Sequence, residues 1–474
     1  MARLVFDLAV IGAGEAGIAA AVRGAELGAR VGLIERSPQL GGTCVATGTL
    51  PSKVYSISTG MLEVMKKAKN FGIRIEGSPA ISFKDVQASR TRATRCDVGG
   101  IQSHLRSHRV QVVQGGAVFL ENRVLSVTAG DGGVTEIEAP RIVLAAGSAP
   151  AQVPGLPADG KSVLTTDEFV QLAELPPSIA ILGAGFIGCE YAFILTTLGV
   201  QVTMVEKLDH PLAGQDGEIV ALVEKELKKK GIRFLPGTTV TGRADGQDGR
   251  LRLVTDRGEE IVAHKVLVCA GRRPSTGHLN LEAAGVRTGG RGEVLVNGRL
   301  ETSAPGIYAV GDILGRVMLS STAILEGTVA GGNAMGENRE VDETIIPSAI
   351  YTQPEIGYVG LTEEAAAAAG IPYIKGICPY AGLVKACAIQ AHASGIIKML
   401  FERDSHRLLG AHIFGSEAAE LIHALSLPLK LGARAEDFIY AIYHHPSLSE
   451  GFREAAAEAL RAAPKKNNRP DIDI

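Results

Sequence analysis

Two glycine-rich segments of this chain have the spacing that binds dinucleotides. They read Gly12-Ala13-Gly14-Glu15-Ala16-Gly17 and Gly183-Ala184-Gly185-Phe186-Ile187-Gly188. An acidic residue stands 18 positions after the third glycine of each segment, at Glu35 and Glu206 (17 to 35, 188 to 206). In this motif the first glycine permits a tight turn, the second lets the backbone approach a pyrophosphate, and the third lets helix and strand pack closely. The acid accepts hydrogen bonds from a ribose, so the sequence predicts two dinucleotide sites.

Each fingerprint needs a strand before it and a helix after it. Apolar runs predict those strands at 4–11, 30–34, 178–182 and 201–205, and small residues predict the first helix through Ala29. Three later apolar runs end in glycine and predict closing strands at 142–147, 266–271 and 306–312. This order predicts an α/β fold with two Rossmann-like domains.

The segment around Cys44 combines a thiol with hydroxyl groups and a lysine. Residues 41–53 read Gly-Gly-Thr-Cys-Val-Ala-Thr-Gly-Thr-Leu-Pro-Ser-Lys. This stretch resembles the redox helix of the flavin-dependent pyridine nucleotide–disulfide oxidoreductases, whose Cys-x4-Cys pair forms a disulfide against the flavin. Here Cys44 holds the first place and Thr49 the second. A threonine hydroxyl forms no S–S bond and does not ionise near neutral pH, so the family's internal electron relay is predicted to be missing.

The resemblance covers about residues 5–462 and implies FAD in the first dinucleotide fold. It implies that Glu35 binds the adenosine ribose and that Asp312 binds the ribityl chain of the flavin. It also implies that Lys53 lies beside flavin N5 and pairs with Glu190, where a cation would stabilise electron density on the reduced flavin. The residues expected to contact FAD are Gly12, Gly14, Gly17, Glu35, Gly42, Thr43, Thr49, Lys53, Gly147, Gly311 and Asp312.

The second dinucleotide fold is expected to bind a nicotinamide nucleotide. Glu206 favours the free ribose hydroxyls of NAD and would repel a 2′-phosphate, so NADH is expected and NADP stays an alternative. Phe186 occupies the place where many relatives have a tyrosine that covers the flavin until the nicotinamide arrives. The residues expected at this site are Gly183, Gly185, Phe186, Ile187, Gly188, Glu206 and Gly271.

Residues 443–450 read Tyr-His-His-Pro-Ser-Leu-Ser-Glu. They resemble the family segment in which a histidine before proline is the acid/base and a glutamate five places on orients it. The positions that match are His445 and Glu450. Members of the family are head-to-tail homodimers in which this histidine reaches the other subunit's active site, so a homodimer is expected. The expected catalytic residues are Cys44, Lys53, Glu190, His445 and Glu450.

Two interpretations of Cys44 stay open. Cys44 follows Gly42-Thr43 at a predicted helix start, and a helix N-terminus favours a thiolate. The retained Cys44, His445 and Glu450 would then be the outer half of the family's relay. In the other interpretation Cys44 is an inert small residue, since buried cysteine is common without a function.

Net charge, cysteine spacing and the length of apolar runs argue against some kinds of binding partner and cellular location. The formal net charge of −3 argues against nucleic acid as a main partner. The six cysteines show no metal-ligand spacing and no CxxC pair, and in a chain of 474 residues they suggest a reducing compartment. No apolar run is long enough to span a bilayer, and the strand predicted at the N-terminus leaves no place for a signal peptide. The expectation is a cytoplasmic protein without a metal.

The predicted domain order follows from these motifs and the resemblance. Residues 1–150 form the first part of an FAD domain, 151–272 an NAD domain, and 273–345 the second part of the FAD domain. Residues 346–464 carry short β-branched and aromatic runs followed by helical stretches, which predicts an α+β dimerisation domain. Residues 465–474 are expected to be a flexible tail.

Three functions remain open. The segment 47–53 is similar to the motif of soluble pyridine nucleotide transhydrogenases, which also have threonine in the second place. This favours transfer of hydride from NADH through FAD directly to a nicotinamide nucleotide or a quinone, although those enzymes lack the histidine that this chain keeps before proline. The alternative is dihydrolipoyl dehydrogenase-like thiol chemistry by Cys44 with His445, Glu450 and a second thiol from a substrate or protein partner. The third is a non-catalytic flavoprotein subunit or sensor.

Overall fold

The computed structural model describes residues 2–246, 249–390 and 395–462. The predicted tail at 465–474 lies outside the described residues. The described chain divides into two units. Successive segments of the chain belong alternately to the first unit and to the second. The first unit comprises Met1–Gly183, Thr197–Val205 and Thr238–Asp342; the second comprises Ala184–Thr196, Glu206–Gly237 and Glu343–Ile474. The predicted domain boundaries stay a prediction.

Short strands, partly in long runs and partly separated by helices, make up much of the described chain. The strands are β1 (Ala2–Val5), β2 (Leu8–Ile11), β3 (Val31–Glu35), β4 (Gln111–Gln114), β5 (Gly116–Glu121), β6 (Val124–Thr128), β7 (Val134–Glu138), β8 (Arg141–Leu144), β9 (Ser148–Pro150), β10 (Val163–Thr165), β11 (Ser178–Leu182), β12 (Gln201–Val205), β13 (Arg233–Leu235), β14 (Val240–Asp245), β15 (Leu251–Thr255), β16 (Glu260–Ala263), β17 (Lys265–Val268), β18 (Arg272–Pro274), β19 (Ile307–Ala309), β20 (Ser348–Ile350), β21 (Glu355–Gly360), β22 (Tyr373–Pro379), β23 (Ile396–Glu402) and β24 (Leu408–Gly415).

The helices begin mostly after strand ends. They are α1 (Glu15–Glu26), α2 (Gly42–Ala46), α3 (Thr49–Lys66), α4 (Phe83–Ser107), α5 (Thr166–Phe169), α6 (Phe186–Thr197), α7 (Gly217–Lys229), α8 (Ser320–Ala334), α9 (Glu363–Ala368), α10 (Val384–Ala388), α11 (Ala418–Leu421), α12 (His423–Leu431), α13 (Ala435–Ile439) and α14 (Glu450–Ala462). No helix of the described ranges is both long enough and apolar enough to cross a membrane.

The first unit is built around parallel sheets. One sheet has the order β19-β8-β2-β3-β4, with every neighbouring pair parallel. A second parallel set has the order β10-β17-β11-β12. The strands β2, β3 and β8 are almost wholly buried, as strands covered on both faces must be. These two sets of parallel strands match the predicted fold class.

One predicted strand is wrong. The apolar run 4–11 is not one strand but two, because the chain changes sheets between them. β1 pairs with β7, whereas β2 pairs with β3 and β8. At the change, Phe6 N–H donates to Glu138 O at 3.0 Å and Asp7 N–H to Arg30 O at 2.9 Å. Apolar pattern alone cannot show such a change of partner.

Close helix packing explains two glycines of α8. A Cβ on Gly327 would lie 2.1 Å from Ala16 O, and one on Gly331 would lie 2.5 Å from Ala20 O. The backbone of α8 therefore lies directly on α1. Small residues at the contact fix the position of α1, the helix that follows the first fingerprint.

The second unit contains an antiparallel sheet in the order β20-β21-β24-β23-β22. Helix α14 packs on β22 so closely that a Cβ on Gly376 would lie 1.8 Å from Ala455 O. The helical stretches predicted in this region include α11 and α12, which are separated at Ile422. The predicted α+β character of this C-terminal region is therefore present.

Candidate functional site

The first fingerprint forms a turn that only glycine fits. Gly12 has φ of +104°, and a Cβ there would lie 2.3 Å from Ala145 O. Its N–H donates to Ile34 O at 2.8 Å. Helix α1 begins after Gly14, whose lack of a side chain leaves the helix start without a side-chain cap. Free N–H groups and the helix dipole make such a start a site for an anion.

Glu35 lies at the end of β3 and is buried. Its Oε2 accepts the N–H of Ala13 at 2.6 Å, and its Oε1 accepts the N–H of Ser37 at 2.7 Å. These two hydrogen bonds hold the Glu35 carboxylate beside the first glycine-rich segment. Each oxygen keeps a second lone pair, so the carboxylate can still accept bonds from ribose hydroxyls.

The second fingerprint repeats this geometry. Gly183 has φ of +102°, and a Cβ there would lie 2.5 Å from Cys269 O. Its N–H donates to Val205 O at 2.8 Å. Glu206 Oε2 accepts the N–H of Ala184 at 2.6 Å, and its Oε1 accepts the N–H of Leu208 at 2.9 Å. The two segments therefore form the same local structure.

The other residues expected at the nicotinamide site lie around the start of α6. Gly185 and Phe186 are exposed, Ile187 is half-buried and Gly188 is buried. The side chain of Phe186, with 49% of its surface exposed, is available to cover a ligand. Its gating role stays a prediction.

The redox segment abuts the first fingerprint. A Cβ on Gly42 would lie 2.8 Å from the Cα of Gly14, so α2 starts directly beside the expected pyrophosphate position. Together with the open start of α1 and the fixed Glu35, this glycine-lined cradle fits a dinucleotide such as FAD. In that arrangement Gly12, Gly14, Gly42 and Thr43 would hold the pyrophosphate end.

Cys44 lies in α2 and Thr49 begins α3. The hydroxyls of Ser320 and Thr49 act to lower the pKa of the Cys44 thiol, and the carboxylate of Glu15 acts to raise it. Burial, with a contribution from the nearby Glu15 carboxylate, raises the pKa of the Cys44 thiol. This direction disfavours a thiolate at Cys44, while its role stays a prediction.

All six cysteines are free thiols: Cys44, Cys96, Cys189, Cys269, Cys378 and Cys387. Cys189 donates its S–H to Ala184 O at 3.3 Å. Burial raises the pKa of Cys269 and of Cys378 to about 12, so neither is a reactive thiolate.

A hydrogen-bond chain that the sequence did not indicate joins Asp312 to the redox segment. Ser148 donates its hydroxyl to Asp312 Oδ2 at 2.6 Å. Arg272 donates from Nε to Ser148 Oγ at 2.7 Å and from one terminal nitrogen to Ser148 O at 2.9 Å and Thr43 Oγ1 at 3.4 Å. Gly271 was predicted from the sequence as a site residue, but the arginine after it was not. A charged residue directly after a glycine-ended strand was the available signal.

The closing strands deliver three glycines to the positions expected. Gly147, Gly271 and Gly311 have φ of +70°, +98° and +75°, a region that glycine adopts readily. The Gly311 N–H donates to the buried carboxylate of Glu326. That bond fixes the turn bearing Asp312.

Lys53 and Glu190 belong to different units, so their pairing stays a prediction. Lys53 is half-buried on α3, and its Nζ donates to Ser52 Oγ at 3.3 Å. Glu190 is buried on α6, and its Oε1 accepts the N–H of Tyr351 at 2.9 Å.

The side chains of His445 and Glu450 are in hydrogen-bonding contact. His445 Nδ1 lies 3.0 Å from Glu450 Oε1, and the Ser447 N–H donates to Glu450 Oε2 at 2.9 Å. The Ser447 N–H, followed by His445, lowers the pKa of Glu450, so this carboxylate is ionised at neutral pH. A carboxylate on Nδ1 fixes the tautomer and leaves Nε2 to exchange a proton. The His445 side chain is 63% exposed and open to a partner molecule.

Comparison with known proteins identifies the family. Residues 6–327 match the pyridine nucleotide-disulphide oxidoreductases, and residues 346–456 match the dimerisation domain of the same group. The chain belongs to the pyridine nucleotide–disulfide oxidoreductase family. It is 37% identical over 460 residues to dihydrolipoyl dehydrogenase of Thermus scotoductus, covering 96% of this chain and 97% of the relative. It is 33% identical over 456 residues to the soluble pyridine nucleotide transhydrogenase of Mycobacterium bovis, with coverage of 96% and 97%.

Solved structures agree with this assignment. LpdA from Mycobacterium tuberculosis superposes with a TM-score of 0.88 at 25% identity, covering 96% of this chain and 99% of that chain. The Cu(II) complex of RclA, an HOCl-induced flavoprotein disulfide reductase from Escherichia coli, superposes with a TM-score of 0.87 at 25% identity and the same coverage. The predicted fold class is confirmed. This member of the pyridine nucleotide–disulfide oxidoreductase family is an FAD-dependent enzyme that uses NAD(P) and carries the family's dimerisation domain.

Proposed function

We propose that this enzyme oxidises NADH and delivers hydride directly to a second acceptor, a nicotinamide nucleotide or a quinone, without an internal redox disulfide. The observation that carries the proposal is the pair Cys44 and Thr49, because the second position of the redox helix holds a hydroxyl where the family has a thiol. Bound FAD would supply two-electron hydride chemistry. A hydroxyl cannot take those electrons as a disulfide sulfur does.

The state of Cys44 supports the same proposal. Thiol–disulfide exchange is carried by the thiolate, and the raised pKa of the half-buried Cys44 thiol leaves little thiolate near neutral pH. In this enzyme Cys44 would act as a small polar side chain beside the flavin. Lys53 would hold positive charge near N5, and Glu190 would pair with it.

The geometry of Glu206 supports NADH as the donor. Its carboxylate is fixed by the Ala184 and Leu208 N–H groups, so it cannot turn away from a ribose at that position. A fixed negative charge there would repel a 2′-phosphate. Phe186 would uncover the flavin when the nicotinamide arrives.

We also propose a homodimer in which each His445 serves the other subunit. Both units carry exposed apolar side chains, which supports a subunit interface that involves each of them. On α3 they recur at helical spacing at Ile57, Met61 and Val64, and in the second unit Tyr440 and Ile442 precede His445. Six free thiols support a reducing cytoplasmic location.

A second candidate is dihydrolipoyl dehydrogenase-like chemistry on a small or protein-bound disulfide. The oriented pair of His445 and Glu450 favours it, because direct hydride exchange between nucleotides needs no acid/base. Here Cys44 would attack the substrate, whose own thiol would replace the missing second sulfur. The high pKa of Cys44 counts against this route.

Anaerobic reduction of the holoenzyme by NADH tests the proposal. We expect bleaching of the oxidised flavin band, no long-wavelength thiolate–flavin charge-transfer band, and no new titratable thiols. Turnover is then compared with an NAD analogue, a quinone and lipoamide. A charge-transfer band with two new thiols, or lipoamide as the fastest acceptor, would overturn the proposal in favour of the second candidate.

A further inference from the structure

A cluster of charged side chains is buried in the second unit. Lys398 on β23 has 0% of its side chain exposed, and its Nζ lies 2.8 Å and 2.7 Å from the two carboxylate oxygens of Asp216. Asp216, also 0% exposed, is the N-cap of α7 and accepts the Glu218 N–H at 3.2 Å. Lys398 also forms ion pairs with Glu218 Oε2 at 2.8 Å and with Glu363.

A second lysine lies at the edge of this charged cluster. Lys375 on β22 is partly exposed and lies 2.9 Å from Glu218 Oε1 and 2.8 Å from Glu363 Oε1. Its bonds within the described residues go to these two carboxylates, whereas Asp216 is held by Lys398. Burial lowers the pKa of His412, the cross-strand neighbour of Lys398, so the histidine adds no positive charge near neutral pH. Three carboxylates thus share two ammonium groups.

A fully buried lysine needs an explanation. Desolvating an ion pair costs about as much as its attraction returns, so apolar residues of similar volume would stabilise the fold as well or better. Lys398 stands in the run Ile396–Glu402, whose other members are mainly apolar. A methionine there would fill the same space. The lysine therefore provides something other than stability, and a directed bond to Asp216 is what it has that methionine lacks.

Asp216 ends the segment that begins with Glu206. Within that segment Leu212 N–H donates to Ala184 O at 2.8 Å, and Gln215 N–H donates to Leu212 O at 3.0 Å. Glu206 holds the N–H of the same Ala184. Both backbone polar groups of this fingerprint residue are thus bonded to segment 206–216, whose far end is held by Lys398.

We propose that Lys398 is a positioning residue for the nicotinamide nucleotide, acting through Asp216 on segment 206–216. It connects the sheet of the dimerisation domain with the acid that recognises the ribose. The inference rests on the proposed placement of NADH at the second fingerprint. If Lys398 does this, its loss loosens segment 206–216 and weakens nucleotide binding while FAD stays bound.

The test compares Lys398→Met with Lys375→Met in the FAD holoenzyme. NAD⁺ affinity is measured by calorimetry, FAD content by absorbance, and amide hydrogen exchange is measured along the whole chain without nucleotide. For Lys398→Met we expect NAD⁺ affinity to fall about tenfold to a hundredfold, faster exchange confined to 206–216, and full FAD content. Lys375→Met, which removes a charge from the same cluster but not the bond to Asp216, should leave affinity and exchange at 206–216 unchanged.

Asp216→Asn provides a second route if Lys398→Met does not fold. Asparagine is as good a helix N-cap as aspartate and has nearly the same side-chain volume. The substitution therefore removes only the charged bond to Lys398. It should reproduce the faster exchange at 206–216. Unchanged exchange there, or an equal increase across the whole second unit in both lysine variants, would overturn the inference. If the wild-type enzyme itself binds no NAD⁺, the proposed nucleotide site fails, while exchange still decides whether Lys398 holds the segment.

Discussion

His445 Nδ1 and Glu450 Oε1 lie 3.0 Å apart across the start of α14. The same carboxylate accepts the Ser447 backbone N–H, so it cannot rotate away from the imidazole. This arrangement holds a proton on Nδ1 and presents Nε2 outward. It can supply a proton to an acceptor, a step that some of the candidate reactions need and others do not.

Replacing His445 should separate these reactions. His445→Asn should lower turnover with a quinone, which takes up protons, by about a hundredfold. Hydride exchange between NADH and an NAD analogue moves no net proton and should stay near the wild-type rate. Steady-state assays with both acceptors check this, with His444→Asn as the matched control. Equal losses with both acceptors would show that His445 is structural.

Thr49→Cys should restore a redox disulfide. Residue 49 stands at the second position of the family's Cys-x4-Cys pair and lies near enough to affect the pKa of the Cys44 thiol, so we expect a sulfur there to bond with Cys44. We expect two fewer free thiols after oxidation and a long-wavelength charge-transfer band after reduction by NADH. The double variant Cys44→Ser/Thr49→Cys is the control and should show neither. Absence of a disulfide in Thr49→Cys would mean that the two side chains are held apart.

Glu206→Gln should weaken selection of NADH. The change removes the negative charge but keeps an oxygen for one backbone N–H, so the loop should hold while a ribose bond is weakened. We expect KM for NADH to rise about tenfold or more, with a smaller change for NADPH. Lys207→Ala, next in the chain, serves as the control. If KM for both nucleotides rises equally, Glu206 supports the loop but does not select the ribose.

Glu363 should make the second unit sensitive to acid. Burial alone would raise its pKa, but hydrogen bonds from Lys375 and Lys398 hold it at about 2, below the usual value of 4.5. In this range the unfolded chain binds more protons than the folded one, so stability falls as pH falls from about 4.5 to about 2. Thermal unfolding across this range should be less dependent on pH in Glu363→Gln. If thermal unfolding of Glu363→Gln depended on pH as strongly as that of the wild type, the lowered pKa of Glu363 would not be the cause of the acid sensitivity.

The chain's local patterns determine a large part of this enzyme. Strands β11 and β12 match the predicted bounds, and both fingerprints fold as expected because turn, glycine and acid lie within one short β-α-β stretch. The family resemblance also predicted the pairing of His445 with Glu450, which stands five positions further along the chain. Residue type alone also shows that Thr49 cannot complete a disulfide.

Only the tertiary structure decided the rest. The chain from Asp312 through Ser148 to Arg272, and the buried contact of Lys398 with Asp216, join residues more than a hundred positions apart. No periodicity marks such partners, and Lys398 lies within an apolar strand. The state of Cys44 was decided in the same way: sequence shows a helix start, but burial beside Glu15 sets the direction of its pKa. Desolvation and long-range pairing depend on what surrounds a group in space, which the order of residues does not specify.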